Sequence, residues 1–445
     1  MYSNYKLNIG KFLSVLFVIS LFLFPKYFSI ELSASLPIIT VQRILMFCLI
    51  FFVFGSQNRS RKFFNIIHTV RVKWISVYIL SAAISTVFNI NSQSINGFLS
   101  VIIEQILLFF LMIYICEEVL GVNQVIKLVK KLMFILAILG IFESLFNYNI
   151  FNLLYTTSRQ LILATTYERM GMLRATGPFG HPLAYSLVII IIFPLMFYNT
   201  RNSKIEIKLY NFLFCILAVN MILTGSRSSM IIFLVQCVLL VNLAKGKSKI
   251  NNYLFIFLIM LCIIIGLITN SSSNSLGYVS KLFYSISDSL FHTNYISDFG
   301  DNADPFLYRN ALFKILTNSN INILIGQGAN YMVDNVINLT DLYSLNEYTG
   351  TLVVKSVDNF YILRVIEYGL VGLTAFLLLV GNLIKKLILD IKISKVCSFS
   401  ALILVASVGY VTELFAVGDC DTIKFFWFVL AIYYAFKRAE RKQTT

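Results

Sequence analysis

The sequence predicts an all-α polytopic membrane protein of about 12 transmembrane helices with one large extracytoplasmic loop. Three observations predict it. Of the 445 residues, 58% are hydrophobic and only 13% charged, about half the charged fraction of a soluble domain. Mean hydropathy is +0.80. Apolar runs alternate with short basic turns, and one long polar stretch, Asn270 to Lys355, interrupts them.

The apolar runs fall at roughly 12–29, 37–55, 74–90, 98–116, 132–147, 183–199, 209–225, 230–244, 253–269, 360–380, 397–417 and 425–436. Several are close to the shortest helix able to cross about 30 Å of hydrocarbon. With the amino terminus inside, the cytoplasmic segments carry 23 Lys and Arg and the outer segments 7. That asymmetry follows the positive-inside rule and places both termini in the cytoplasm. The chain divides into an N-terminal bundle (1–269), the large loop (270–357), and C-terminal helices with a basic tail (358–445).

The net charge of +15 is therefore topological, and nucleic acid is excluded as a partner. Lys6 and Lys11 before an apolar run resemble a signal peptide, but without a convincing cleavage site a retained first helix is expected. None of the seven cysteines lies in the large loop, and no pair has zinc spacing, so neither a disulfide framework there nor a metal site is expected.

Candidate residues appear along the chain. Arg43, Glu104 and Glu143 are ionisable residues inside apolar runs, where pairing or function is the default expectation. Arg174 opens the run Ala-Thr-Gly-Pro-Phe-Gly before His181 and Pro182, whose glycines and prolines force a defined turn; a simple helix cap is the other reading. Arg227 stands among Ser226, Ser228 and Ser229 in a short turn between two spans. It suits a phosphate cradle, since a guanidinium fork pairs with phosphate oxygens, or equally a headgroup anchor.

In the large loop, Val279 to Phe291 show helical spacing, and a second helical piece near Phe306 to Leu316 contains Arg309. Gly326-Gln327-Gly328 forms a turn where backbone approaches closely, a weak signal by itself. Asp358-Asn359 opens the next span. Arg364 and Glu367, three apart, are placed to pair on one helix face.

The order of these pieces resembles the O-antigen ligase and polymerase superfamily, which includes lipid-A core ligases and Wzy-type polymerases of O-antigens, capsules and exopolysaccharides. The resemblance covers about Arg174 to Leu373 and rests on the Gly-Pro-Phe-Gly-His-Pro turn, the Ser-Arg turn, Arg309, the Gly-Gln-Gly turn, Asp358-Asn359 and the Glu367-Tyr-Gly-Leu-Val-Gly run. It implies a GT-C-like membrane glycosyltransferase that faces outward and uses a glycan on undecaprenyl pyrophosphate. It also implies that Arg227 and Arg309 hold the pyrophosphate, and that Asp358 stands where ligases place a histidine base, a departure that favours a polymerase.

On that resemblance, catalysis falls to Asp358, Arg227 and Arg309, and substrate binding to Arg174, His181, Ser226, Gly326, Gly328, Asn359 and Glu367. Pyrophosphate is already a good leaving group, so no metal or cofactor is required. A free aspartate is a weak base, so the role demands a shielded position.

Expected partners are the lipid-linked oligosaccharide, membrane lipids, and a separate chain-length regulator and flippase, in the cytoplasmic (inner) membrane of a bacterium. A ligase that transfers finished glycan, or a transporter of the same lipid, are the alternatives. Transporters often show internal repeats, and none is visible between the halves.

Overall fold

The computed structural model describes residues 8–32, 37–70, 73–157, 167–169, 172–244, 246–256, 312–317, 321–335, 337–339, 352–354, 357–394, 398–418 and 421–444. They are mostly helical, with four short two-stranded antiparallel ribbons and no larger sheet. The helices are α1 (Ile9–Leu23), α2 (Val41–Phe54), α3 (Gln57–Thr69), α4 (Lys73–Phe88), α5 (Ser92–Val119) and α6 (Val122–Phe146). After them come α7 (Pro182–Ile192), α8 (Phe212–Leu223), α9 (Arg227–Leu243), α10 (Phe360–Ser394), α11 (Phe399–Glu413) and α12 (Ile423–Thr444). Residues 246–256 are also helical.

Two helices, α5 and α10, are long and apolar enough to cross a membrane, or three if α2 and α3, bent by 111° at their junction, make one span. The other apolar helices have 10–17 residues. At 1.5 Å per residue, such a helix is shorter than the hydrocarbon thickness and depends on its ends being closed by neighbours. The expected span 253–269 and the helical pieces around 279–291 and Arg309 lie outside the described residues.

The expected spans otherwise coincide with helices, but the helix ends differ in an informative way. α6 begins ten residues before the apolar run at 132, and α10 and α12 run on past 380 and 436. The extensions of α10 and α12 are held by ion pairs beyond the apolar zone, such as Lys437 to Asp390 (3.5 Å) and Lys442 to Glu117 (3.2 Å). Hydropathy marks where a helix enters hydrocarbon, and not where its backbone hydrogen bonds stop.

The core is apolar and rich in aromatic rings, with Trp427 of α12 edge-on to Phe109 of α5 (5.7 Å between centroids). α10 packs on α4, α12 on α5, α9 on α11, and α6 on α8. Two polar side chains inside this core act as glue. Asn220 donates to the Ala137 carbonyl (2.8 Å), and Gln236 donates to those of Ile190 (3.2 Å) and Val405 (2.9 Å). In a solvent without water, such bonds draw helices together where apolar contact alone does not.

The chain runs up and down through the bundle. One end gathers the close of α1, α6, α8 and α11 and the start of α7, α9, α10 and α12; Lys26 to Asp421 (2.6 Å) and Arg174 to Thr224 (2.7 Å) are among its links. The other end gathers the close of α5, α7, α10 and α12, with Tyr198 beside Phe436 (6.0 Å).

Candidate functional site

The first polar cluster grows from a buried carboxylate. Glu143, near the end of α6, accepts from the Thr176 hydroxyl (2.6 Å), the backbone N–H groups of Thr176 (3.0 Å) and Gly177 (2.8 Å), and the Asn149 amide (3.0 Å). Four donors offset much of the cost of burying the charge. The turn they hold is the one the glycines and prolines predict: Gly177 and Gly180 have φ of +55° and +71°, where a side chain is strained.

The chain then enters α7, with Pro182 in its first turn and His181 as its N-cap. His181 Nδ1 accepts the Leu183 N–H (3.1 Å), so this nitrogen carries no proton. Burial, reinforced by nearby Arg174, lowers the His181 pKa to about 4. The helix-cap reading of His181 is thus the geometry observed.

The same turn binds the second one. Ala175 N–H donates to the Leu223 carbonyl (3.0 Å), and Arg174 Nε donates to that of Thr224 (2.7 Å). Gly225 (φ +61°) reverses the chain, Ser226 caps α9, and Arg227 is its first residue. Arg174 and Arg227, distant in sequence, therefore flank one turn beside the N-terminus of a helix. Helix N-termini and guanidinium groups both favour anions. The serines weld α9 to its neighbours, with Ser229 Oγ at 2.8 Å from Ser186 of α7 and at 2.7 Å from Ser226.

Glu413, the last residue of α11, accepts from both Ser228 and Ser229 at 2.7 Å. Just beyond it, the Leu414 carbonyl accepts the Phe360 N–H (3.0 Å) and that of Phe415 accepts the Asn359 amide (3.0 Å). Asn359 also caps α10, its Oδ1 accepting from the N–H groups of Tyr361 (3.0 Å) and Ile362 (3.1 Å). The end of α11 thus links the arginine turn to the Asp358-Asn359 corner.

α10 is broken at Gly369 (φ +69°, ψ −175°). The break leaves backbone groups without helical partners, and the Gly-Gln-Gly turn takes them up. Gln327 N–H donates to Ile366 O (2.7 Å), Gly328 N–H to Glu367 O (3.0 Å), and Leu370 N–H to Ile323 O (2.7 Å). A Cβ at Gly326 would lie 2.4 Å from Glu367 O, and one at Gly369 would lie 2.1 Å from Leu324 O. The close approach expected of the two glycines is therefore to α10 at Gly326 and to Ser94, at the start of α5, at Gly328. Broken helices are tolerated in membranes where such partners exist. The expected pair forms: Arg364 and Glu367 are buried and 2.7 Å apart, and Glu367 also accepts the Asn330 N–H (3.0 Å).

Asp358 and Glu367 line one cavity of about 430 Å3, together with Arg364, Lys26, Glu104 and Lys424. Glu104 sits in a π-helical stretch of α5, Val101–Leu107, and pairs with Arg43 at 2.7 Å. π-Helical turns inside α-helices occur often at functional sites. A larger cavity of about 790 Å3 opens at the opposite end, beside Tyr198, Glu206 and Phe399, but no residue selected from the sequence lines it. The chemistry-bearing groups place the candidate site at the smaller one.

Of the residues selected, then, Arg174, His181, Ser226 and Arg227 gather at one turn, Asp358 and Glu367 line the cavity, and Asn359, Gly326 and Gly328 build its supports. Arg309 lies outside the described residues. Sequence reasoning missed Lys26, Glu413, Asp421 and Lys424. Lys26 and Glu413 lie within the last few residues of apolar runs, and Asp421 and Lys424 just before one, where a charge reads as a boundary marker. Glu104 and Glu143 carried a visible signal, the cost of an ionisable group inside an apolar run.

The fold and site together define a helical membrane protein with polar machinery at one end of an apolar bundle. Residues 212–377, from α8 into α10, match the family model described as O-antigen ligase. That match is consistent with the O-antigen ligase and polymerase superfamily. Members of the family are glycosyltransferase-like enzymes acting on lipid-linked glycans. No curated protein matches the chain.

Proposed function

We propose that the protein is a polysaccharide polymerase. It joins undecaprenyl-pyrophosphate-linked oligosaccharide repeat units, of capsule, exopolysaccharide or O-antigen, on the outer face of the cytoplasmic membrane. The observation that carries this reading is the convergence of Arg174 and Arg227 on one turn, linked through Glu413 and the end of α11 to the Asp358 cavity. In this reading the fold is GT-C-like with about 12 spans, the site end faces outward, and both termini lie in the cytoplasm.

The reaction is a displacement at the anomeric carbon. A hydroxyl of the acceptor sugar attacks that carbon; its bond to the phosphate oxygen breaks, and the electron pair leaves with the lipid pyrophosphate. The hydroxyl proton passes to the Asp358 carboxylate. Attack from the face opposite the leaving group inverts the configuration. Charge grows on the pyrophosphate as the bond breaks, so Arg227 and Arg174 stabilise the transition state more than the ground state. Arg309 joins them through the family resemblance. Aspartate at position 358, where ligases of the family place histidine, favours the polymerase over the ligase.

The test is the size ladder of surface and lipid-linked glycan in cells lacking the protein, complemented with wild type, Arg227→Ala or Asp358→Ala. Collapse to single repeat units on the lipid, rescued by wild type alone, supports the polymerase. Long lipid-linked chains that never reach an acceptor point to a ligase. An unchanged ladder rejects both enzymes and leaves a transporter of the lipid-linked glycan.

A further inference from the structure

The cavity beside Asp358 has two kinds of wall. Asp358, Arg364 and Glu367 lie within the segment that matches the ligase family, whereas Lys26, Glu104, Asp421 and Lys424 lie outside it. These last four come from the end of α1, from α5 and from the turn into α12, elements brought together only by the fold.

Their hydrogen bonding is incomplete in a patterned way. Glu104 receives both of its bonds from Arg43 (Nε 2.8 Å, Nη2 2.7 Å) on Oε1, and among the described residues nothing donates to its Oε2. Asp421 receives Lys26 on Oδ2 (2.6 Å), and among the described residues nothing donates to its Oδ1. Lys424 donates to Gln42 Oε1 (3.0 Å); an ammonium has three donors, so among the described residues two remain. Spare donors and acceptors thus share the rim of one cavity, as a ring of hydroxyls requires, since each hydroxyl both donates and accepts.

Among the described residues, the charges balance. Counting Arg43 just behind the wall, Lys26, Arg43, Arg364 and Lys424 face Glu104, Asp358, Glu367 and Asp421. Three of those acids are already matched at 2.6–2.7 Å. An acidic sugar would need an excess of cation, which this set lacks. The volume of about 430 Å3 lies within the range of about 300–1,000 Å3 for small-molecule sites.

We propose that this cavity is the acceptor subsite, that it takes the terminal rings of an uncharged, hydroxyl-rich glycan, and that Lys424 and Glu104 grip them. This rests on the transferase reading above. Acceptor selection then draws on parts of the chain outside the family match, placed beside the Asp358 that takes the hydroxyl proton.

The experiment uses the purified full-length protein in lipid vesicles. The donor is the lipid-linked glycan extracted from cells lacking the protein. The acceptor is the same glycan released from its lipid and reduced at its reducing end, so that it cannot act as donor. Lys424→Gln removes one charge-assisted bond and is expected to raise the acceptor KM roughly 10- to 100-fold, with the donor KM within twofold. Met332→Trp, which leaves every charge in place and fills the cavity from the loop side, is expected to do the same. Equal rises in both KM values, or an unmoved acceptor KM in both variants, overturn the proposal.

Calorimetric binding of the reduced glycan separates this proposal from the transferase reading. If wild type forms no product, the transferase reading fails; binding by wild type that both variants lose still supports the subsite, and binding unchanged by both overturns it. Oxidising the glycan's primary hydroxyls to carboxylates is expected to weaken binding at least tenfold, and tighter binding overturns the charge-balance argument.

Discussion

The Arg174 guanidinium donates through Nε to the Thr224 carbonyl at 2.7 Å. That bond fastens the turn before α7 to the turn before α9, so Arg174 and Arg227 share one anion-favouring corner. Arg227→Ala is expected to lower the rate of chain extension roughly 100- to 1,000-fold, the usual worth of a fixed donor to developing charge. Arg227→Lys should recover only part of that loss, because an ammonium lacks the planar fork. Extension rates in reconstituted vesicles check both, and a lysine variant as fast as wild type would reduce Arg227 to a simple positive charge.

Asp358 lines the cavity and is half-buried. If it accepts the acceptor proton, Asp358→Asn should lose at least about 100-fold in rate, the lower range for general base catalysis. A rate within a few fold of wild type removes the base role and leaves an orienting one.

The Glu143 carboxylate holds two backbone N–H groups, a hydroxyl and an amide. Glu143→Gln keeps the shape but turns an NH2 group toward donors, leaving buried donors unsatisfied at about 1–3 kcal/mol each. We expect a lower thermal midpoint in detergent and, with the Arg174 turn loosened, slower extension as well.

Gly369→Ala should damage folding rather than chemistry. Its φ of +69° with ψ of −175° lies in a region essentially reserved for glycine and costs an L-residue about 1–3 kcal/mol, and the new Cβ would meet the Leu324 carbonyl at 2.1 Å. The expected readout is new protease sensitivity at residues 321–335, the segment that the break in α10 anchors. An intact segment with wild-type stability would contradict the clasp between that loop and α10.

His181 links pH to stability. Its folded pKa of about 4 lies below the ordinary histidine value near 6.5, so between those values the unfolded chain binds more protons. Stability therefore falls as pH drops from about 6.5 to 4 and gains no further His181 contribution below that. His181→Asn keeps a capping acceptor without a titrating ring. It should flatten the pH dependence of the thermal midpoint in that window, and an unchanged slope would assign it to other groups.

Much of the fold was legible because hydropathy and helix signals are local. The apolar runs named most of the described helices, and Gly-Pro-Phe-Gly-His-Pro announced the turn that Gly177, Gly180 and Pro182 make. Arg364 and Glu367 were legible as a pair because i,i+3 neighbours meet on any helix. The break in α10 was not legible: Gly369 sits in an apolar helical pattern, and only the arrival of residues 322–328 makes the break affordable.

By itself, the sequence determined that the chain is helical and apolar, where its polar turns fall, and which arginines and carboxylates stand in them. Periodicity, turn chemistry and charge are properties of neighbouring residues. Only the tertiary structure decided that Glu143 holds the Arg174 turn, that Glu413 ties Ser228 to the corner of Asp358, and that Lys26, Glu104 and Lys424 wall one cavity. Those contacts join helices far apart in sequence. Their geometry is set by how the bundle packs, and no local pattern encodes that.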